Sequence, residues 1–253
     1  MPQAAHYGWI PDLPDQRDYQ YAAPIAAIGT LPTNVDLTSA CPPVYDQGQL
    51  GSCTANAIGG AIQFEQMKQN LAQIFTPSRL FIYYNERDME GTVNSDSGAQ
   101  IRDGMKSVGS LGVCPEDMWP YIIANYAEKP SDPCYQTALQ HKAILYQRVV
   151  RDLIQMKGCL ASGYPFVFGF TVYDSFESQQ VAQTGHAPMP QHGENTIGGH
   201  AVMAVGYDDA NQWFIVRNSW GTGWGMQGYF TLPYTYFTSR NLSSDFWTVR
   251  LVQ

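Results

Sequence analysis

Three residues sit where their type and surroundings would suit covalent chemistry. Cys53 follows a glycine-bearing loop (46–52) and opens a stretch of small and apolar residues. At the first turn of a helix, unpaired N–H groups and the positive dipole end favour the thiolate, which is the nucleophilic form of cysteine. The plainer reading of Cys53 alone is an inert thiol packed as a small hydrophobe. His200 starts an apolar run behind Gly198 and Gly199, open from the loop side yet firmly held. A lone histidine there reads equally as a satisfied structural residue. Asn218 ends a third run, 213–217, ahead of Ser219, Trp220 and Gly221. If residues 208–211 form a hairpin turn, Tyr207 faces Gln212 and position 200 falls opposite 219, within a slip of one or two. Asn218 then comes beside His200. A neutral amide can hold an imidazole in one tautomer without competing for its proton, and Trp220 can shield that bond from water. The alternative for 213–225 is a structural hairpin rich in Gly and Trp. Taken together, the three make a nucleophile, a base and an orienting group.

The elements that must position them read as follows. Residues 52–69 form a helix, with Ser52 as its N-cap and Ala57, Ile58, Ala61, Ile62 and Phe64 gathering apolar surface. Further helices are expected over 77–87 and 100–108, the latter closed by Gly109 and Gly112, and a short one over 150–161. The second half is mainly β, with strands in 165–173, 200–207 and 213–220. Residues 174–199 read as a long polar loop, more often functional than idle in a compact domain. Residues 1–30 read as an extended N-terminal arm, with Pro11, Pro14 and Pro24 discouraging helix, and 31–45 also read as extended.

Composition narrows the class. With 253 residues, 44% of them hydrophobic, the chain can build a real core in one domain or two small lobes sharing a cleft. A formal net charge of −8 argues against a nucleic-acid partner, which needs a basic face. No stretch approaches the roughly 18 apolar residues of a membrane span. Residues 1–19 carry no basic start followed by an apolar core, so the expected location is cytoplasmic, or exported by a non-classical route. Five cysteines, 41, 53, 114, 134 and 159, are an odd number. Bridges among the four other than Cys53 are open and not required for a chain this long. His186, His192 and His200 fit no compact metal-ligand spacing, so no metal or cofactor is expected. His186 and His192 read as solvated surface residues, or as part of a flap over a cleft.

The combination resembles the papain family of cysteine peptidases. The resemblance rests on Gln47, on Gly51-Ser52-Cys53, on Gly199-His200-Ala201-Val202 with Val205-Gly206-Tyr207, and on the run from Asn218 to Gly225. Gln47 lies six positions before Cys53, and 147 positions separate Cys53 from His200, both as in the family. Fainter similarity covers Leu31-Pro32, Val35-Asp36 and Trp119-Pro120-Tyr121, so it spans 31 to about 235.

The resemblance implies an α+β, two-lobe fold, one lobe helical and one an antiparallel β-barrel-like lobe, with the active site in the cleft between them. It implies a thiolate–imidazolium pair of Cys53 and His200, Asn218 orienting the histidine and Gln47 in the oxyanion hole. It also implies a cleft lined by Gly51, Ser52, Gly98, Gly199, Ala201 and Trp220. Peptide or protein substrates, cut through a thioester acyl-enzyme by an endopeptidase, are expected. Leu50 stands where many members carry a disulfide cysteine, and Thr54 replaces the usual aromatic residue after the nucleophile. Both departures resemble a bacterial branch with a short N-terminal extension. Residues 1–30 would then be a prosegment-like arm on a peptidase domain over 31–253, with residues 8–19 strapped across the cleft to restrain access. A peptide-binding pseudo-enzyme and an acyl-transfer enzyme (a transpeptidase or ligase) share these residues.

Overall fold

The computed structural model describes residues 7–253; residues 1–6 of the expected arm lie outside them. In chain order the arm supplies β1 (Trp9–Ile10), β2 (Gln20–Tyr21) and the short helix α1 (Ile25–Gly29). Next come β3 (Asn34–Asp36), α2 (Cys53–Lys68), α3 (Arg79–Glu90), β4 (Ala99–Gln100), α4 (Ile101–Ser110) and α5 (Asp132–Ala138). The second half holds β5 (Ala143–Val149), α6 (Leu153–Ala161), β6 (Phe166–Tyr173), α7 (Gln179–Thr184), β7 (Thr196–Asp208) and β8 (Trp213–Arg217). It closes with β9 (Tyr229–Pro233), α8 (Tyr234–Thr238) and β10 (Ser243–Val252).

Two cores result, one per lobe. The first gathers Ile58, Ile62, Leu80, Phe81, Met105 and Val108 from α2, α3 and α4. The second gathers Phe166, Phe168, Phe170, Phe214 and Phe230 inside an eight-stranded sheet ordered β2-β5-β10-β6-β7-β8-β9, with β3 on β7. Every residue of α2 from Cys53 to Gln66 is buried. A helix apolar or small on all sides belongs between layers, and α2 lies against both α3 and strands β7 and β10. Its small side chains set how closely those layers approach.

Several local readings shift for identifiable reasons. The second helix begins at Arg79, not 77, because the Ser78 hydroxyl accepts from Phe81 N and caps it; Gly91 in the left-handed region ends it. The helix expected from 150 starts at Leu153, because the Asp152 carboxylate accepts from Gln155 N. Residues 174–199 are not a bare loop, since they hold a 3-10 turn, α7 and the start of β7. The arm is not wholly extended: Pro24 starts α1, a position where a fixed φ and a missing N–H do no harm.

The hairpin register also differs. Asp208 pairs with Trp213 and Tyr207 with Phe214, so the turn is 209–212 rather than 208–211. The Asp208 carboxylate accepts from Ala210 N and Asn211 Nδ2, fixing that turn. An irregularity between Ala204 and Gly206 then slips the register by one, at the point where Val205 O accepts from Leu37 N. The turn moves each pair by two positions and the irregularity takes back one, so Asn218 still comes beside His200. Among the described residues all five cysteines are free thiols, and no helix is long and apolar enough to cross a membrane.

Candidate active site

Cys53 is the first residue of α2 and is fully buried. Its sulfur accepts from Ala201 N at 3.4 Å, so the nucleophile candidate of one lobe rests on the strand of the other. His200, on β7, is also fully buried. Its Nε2 lies 2.8 Å from Asn218 Oδ1, and the Trp220 ring stacks on the imidazole at 5.0 Å. Asn218 Oδ1 also accepts from Ser219 N at 2.9 Å, and Asn218 N donates to Gly228 O, which leaves the amide little freedom to turn. Gln47 is held at both ends. Its N–H donates to Ser219 O, its Oε1 accepts from Ser219 Oγ at 2.6 Å and its Nε2 donates to Leu50 O at 2.9 Å. The four residues singled out from sequence therefore meet in one buried cluster.

The expected cleft lining divides. Gly51, Gly98 and Gly199 do line the groove, and Trp220 roofs the His200–Asn218 bond. Ala201 contributes its N–H rather than its side chain. Ser52 is corrected: it is fully buried, its Oγ pairs with Tyr121 OH at 2.5 Å and receives Asn56 Nδ2. Ser52 stands at the N-cap position but makes no side-chain cap, because its hydroxyl is committed to Tyr121.

The groove is filled by the arm. Gly8 N–H reaches the Cys53 sulfur, and Gly8 O accepts from Ala99 N at 2.7 Å. The Tyr7 ring meets His200 and Trp220 edge-on, and its hydroxyl donates to Glu177. β1 pairs with β4 in parallel, and Trp9 packs against Gly169 and Gly199. Further along, an ionic clasp holds the arm. Arg102 and Arg148 both bridge to Asp18, Trp247 Nε1 donates to Asp12, and Asp12 N donates to Asp245. β2 then adds to the edge of the main sheet beside β5.

This covering changes the electrostatics expected from sequence. Burial pushes the Cys53 thiol up to about 12, outweighing the N–H groups of Ala201, Gly8 and Thr54 that pull it down. Burial likewise takes His200 down to about 4, against the support of Asn218. With the arm in place, burial favours the thiol and the neutral imidazole over the charged pair. The helix terminus favours the anion, but no water reaches it to share the charge.

A fully buried carboxyl lies directly behind α2. Glu86 Oε2 accepts from Thr54 Oγ1 at 2.8 Å, while Oε1 has no partner among the described residues. Burial raises its pKa well above the ordinary 4.5. An acid raised on folding costs stability once pH exceeds its unfolded value, so the native state should weaken as pH climbs above about 4.5. We expect Glu86→Gln to flatten that slope, with a larger gain in melting temperature at pH 8 than at pH 4.5. Parallel slopes for the two proteins would contradict the assignment.

Comparison with known proteins bears on this geometry. Residues 31–242 match the papain family cysteine protease. The chain belongs to the papain family. An uncharacterized peptidase C1-like protein of Acanthamoeba polyphaga mimivirus is 43% identical over 272 residues, covering 98% of this chain and 87% of that protein. The crystal structure of xylellain, a cysteine protease from Xylella fastidiosa, superposes with a TM-score of 0.92 at 47% identity, covering 98% and 97% of the two chains. The procathepsin B S9 of Trypanosoma congolense, at 17% identity and a TM-score of 0.78, shares the fold over 98% of this chain and 86% of its own. The protein is therefore a papain-family cysteine protease, a hydrolase of α+β two-lobe architecture that acts on peptide substrates.

Within that family framework, the sequence reading missed the clasp. Asp12 and Asp18 of the arm meet Arg102, Arg148 and Asp245 from three distant points in the chain, and no spacing links them. Tyr7 and Glu177, 170 positions apart, were equally invisible.

Proposed function

We propose that this papain-family protein is an endopeptidase in which Cys53 attacks the peptide carbonyl, His200 manages the proton, Asn218 orients His200 and Gln47 serves the oxyanion. The observation that carries this reading is the 2.8 Å Asn218–His200 bond in the same buried cluster as the Ala201 contact to Cys53. Once the groove opens to water and substrate, the burial that keeps the pair neutral is relieved. The Cys53 proton passes to imidazole, and the thiolate adds to the carbonyl carbon. The developing oxyanion is met by Gln47 Nε2 and Cys53 N–H. Imidazolium then protonates the leaving amine, and water hydrolyses the thioester. The endopeptidase mode is supported by the arm, which passes the sulfur with Tyr7 on one side and residues 9–13 on the other, so the groove admits chain in both directions.

Residues 7–21 act in this reading as an intramolecular inhibitor, because they occupy the groove and bury both reacting groups. The peptidase assignment is tested by treating the protein with an epoxysuccinyl thiol inhibitor and mapping adducts by mass. One adduct on Cys53, absent from Cys53→Ala, is expected, and it should form faster once the arm is displaced. No Cys53 adduct with the arm displaced would overturn the reading in favour of a non-catalytic peptide binder.

A further inference from the structure

We propose that Arg79, Asn56, Ser52 and Tyr121 form a directed hydrogen-bond chain that fixes the backbone of Gln47, which makes Tyr121 a positioning residue for the oxyanion. The inference rests on the peptidase reading above, and within it on Gln47 as an oxyanion donor.

The chain starts from a cation with little freedom to turn. Glu116 grips Arg79 through Nε at 2.7 Å and Nη2 at 2.6 Å, and the guanidinium lies over the rings of Tyr121 and Tyr45. Its Nη1 donates to Asp46 O and to Asn56 Oδ1, both at 3.1 Å. With Oδ1 facing Arg79, the Asn56 amide has one orientation, and its Nδ2 donates to Ser52 Oγ at 3.0 Å. Counting protons settles the next link. Tyr121 has a single hydroxyl proton, which goes to Gln47 O at 2.9 Å, so Ser52 is the donor in the 2.5 Å contact between Ser52 and Tyr121. Each donor from Arg79 onward thus points toward Gln47, and hydrogen bonds in such a series polarise and strengthen one another.

The chain ends where the chemistry needs a fixed geometry. Arg79 and Tyr121 hold the successive carbonyls of Asp46 and Gln47 from the helical lobe, while Ser219 O in the other lobe holds the Gln47 N–H. The Gln47 backbone is therefore pinned from both sides, and its side chain starts from a fixed point in the Cys53 cluster. The Trp119-Pro120-Tyr121 run gains a task in this arrangement, and the Ser78 hydroxyl seats it by donating to Trp119 O at 2.7 Å. An oxyanion donor acts only within hydrogen-bond reach of the developing charge, and a misplacement of about 1 Å can cost on the order of a hundredfold in rate.

The test uses the full chain carrying Gly8→Val, which lifts the arm, and compares Tyr121→Phe, Gln47→Ala and the two together. Turnover of one peptide gives kcat and KM, and alkylation of Cys53 by iodoacetamide, which forms no oxyanion, is measured beside it. We expect Tyr121→Phe to lower kcat about tenfold, as for one lost hydrogen bond, with KM and the alkylation rate within about twofold of the parent. On the Gln47→Ala background the same change should lower kcat by no more than about a further twofold, because the group it positions is gone. Ser52→Ala breaks the chain one link earlier and leaves Tyr121 on Gln47, so its loss of kcat should be smaller, about two- to threefold. A full tenfold loss for Tyr121→Phe on the Gln47→Ala background, equal falls in kcat and alkylation, or no loss in Tyr121→Phe each overturns the chain and leaves the peptidase reading intact. No turnover by the Gly8→Val parent overturns both.

Discussion

Gly8→Val should convert a closed enzyme into an open one, raising both peptide turnover and the rate of Cys53 alkylation by roughly a hundredfold. A Cβ at Gly8 would sit 1.7 Å from Gly51 O and 2.5 Å from Gly51 C. These are backbone atoms at the start of α2, and no rotamer change relieves the overlap. The arm must therefore leave its seat beside Cys53, taking Trp9 with it. Losing the burial of one large aromatic removes about 3 kcal/mol of docking free energy, and each 1.4 kcal/mol is tenfold in the open population. Gly29→Ala is the matching control, since a Cβ there meets nothing within 4 Å. If Gly8→Val and the parent react with the inhibitor at the same rate, the arm does not restrain access.

In that open background, Gln47→Ala should lower kcat about a hundred- to a thousandfold, the usual cost of about 3 kcal/mol for one oxyanion donor. The change also removes the donor to Leu50 O and the acceptor for Ser219 Oγ, so a loss of stability of about 1–3 kcal/mol is expected alongside it. Two readouts separate these effects. Simple alkylation by iodoacetamide forms no oxyanion, so its rate should hold while kcat falls. Ser219→Ala removes one support of Gln47 and keeps the amide, so it should share the stability loss with a much smaller loss of kcat. Equal falls in alkylation and kcat for Gln47→Ala would mean that Gln47 only supports the fold.

The sequence was most readable where chemistry and local geometry coincide. Cys53 could be placed at a helix start from the small residues after it, and α2 begins there. Asn218 could be set beside His200 by counting across a hairpin, although the turn and the Val205 irregularity moved every pair along the way. What escaped was held by tertiary contact. Ser52 looks like a cap until Tyr121 claims its hydroxyl. The thiol's ionisation looks settled by the helix dipole until Tyr7, Gly8 and Trp9 exclude water. Asp245 lies in an ordinary polar run, and only the fold brings it under Trp9.

The attachment of β2 beside β5, with Tyr21 buried in the second core, has a kinetic meaning. If residues 7–18 lift away while this anchor holds, they remain on a leash of roughly 40 Å at full stretch. Such a tether keeps the segment at an effective concentration on the order of millimolar around its own groove. Dilute substrate would compete poorly against it, and opening alone would be brief and self-reversing. Lasting activity then calls for severing the leash between the cleft-filling residues and the strand that moors them, whereas the same segment supplied as a separate peptide would inhibit far more weakly than it does in place.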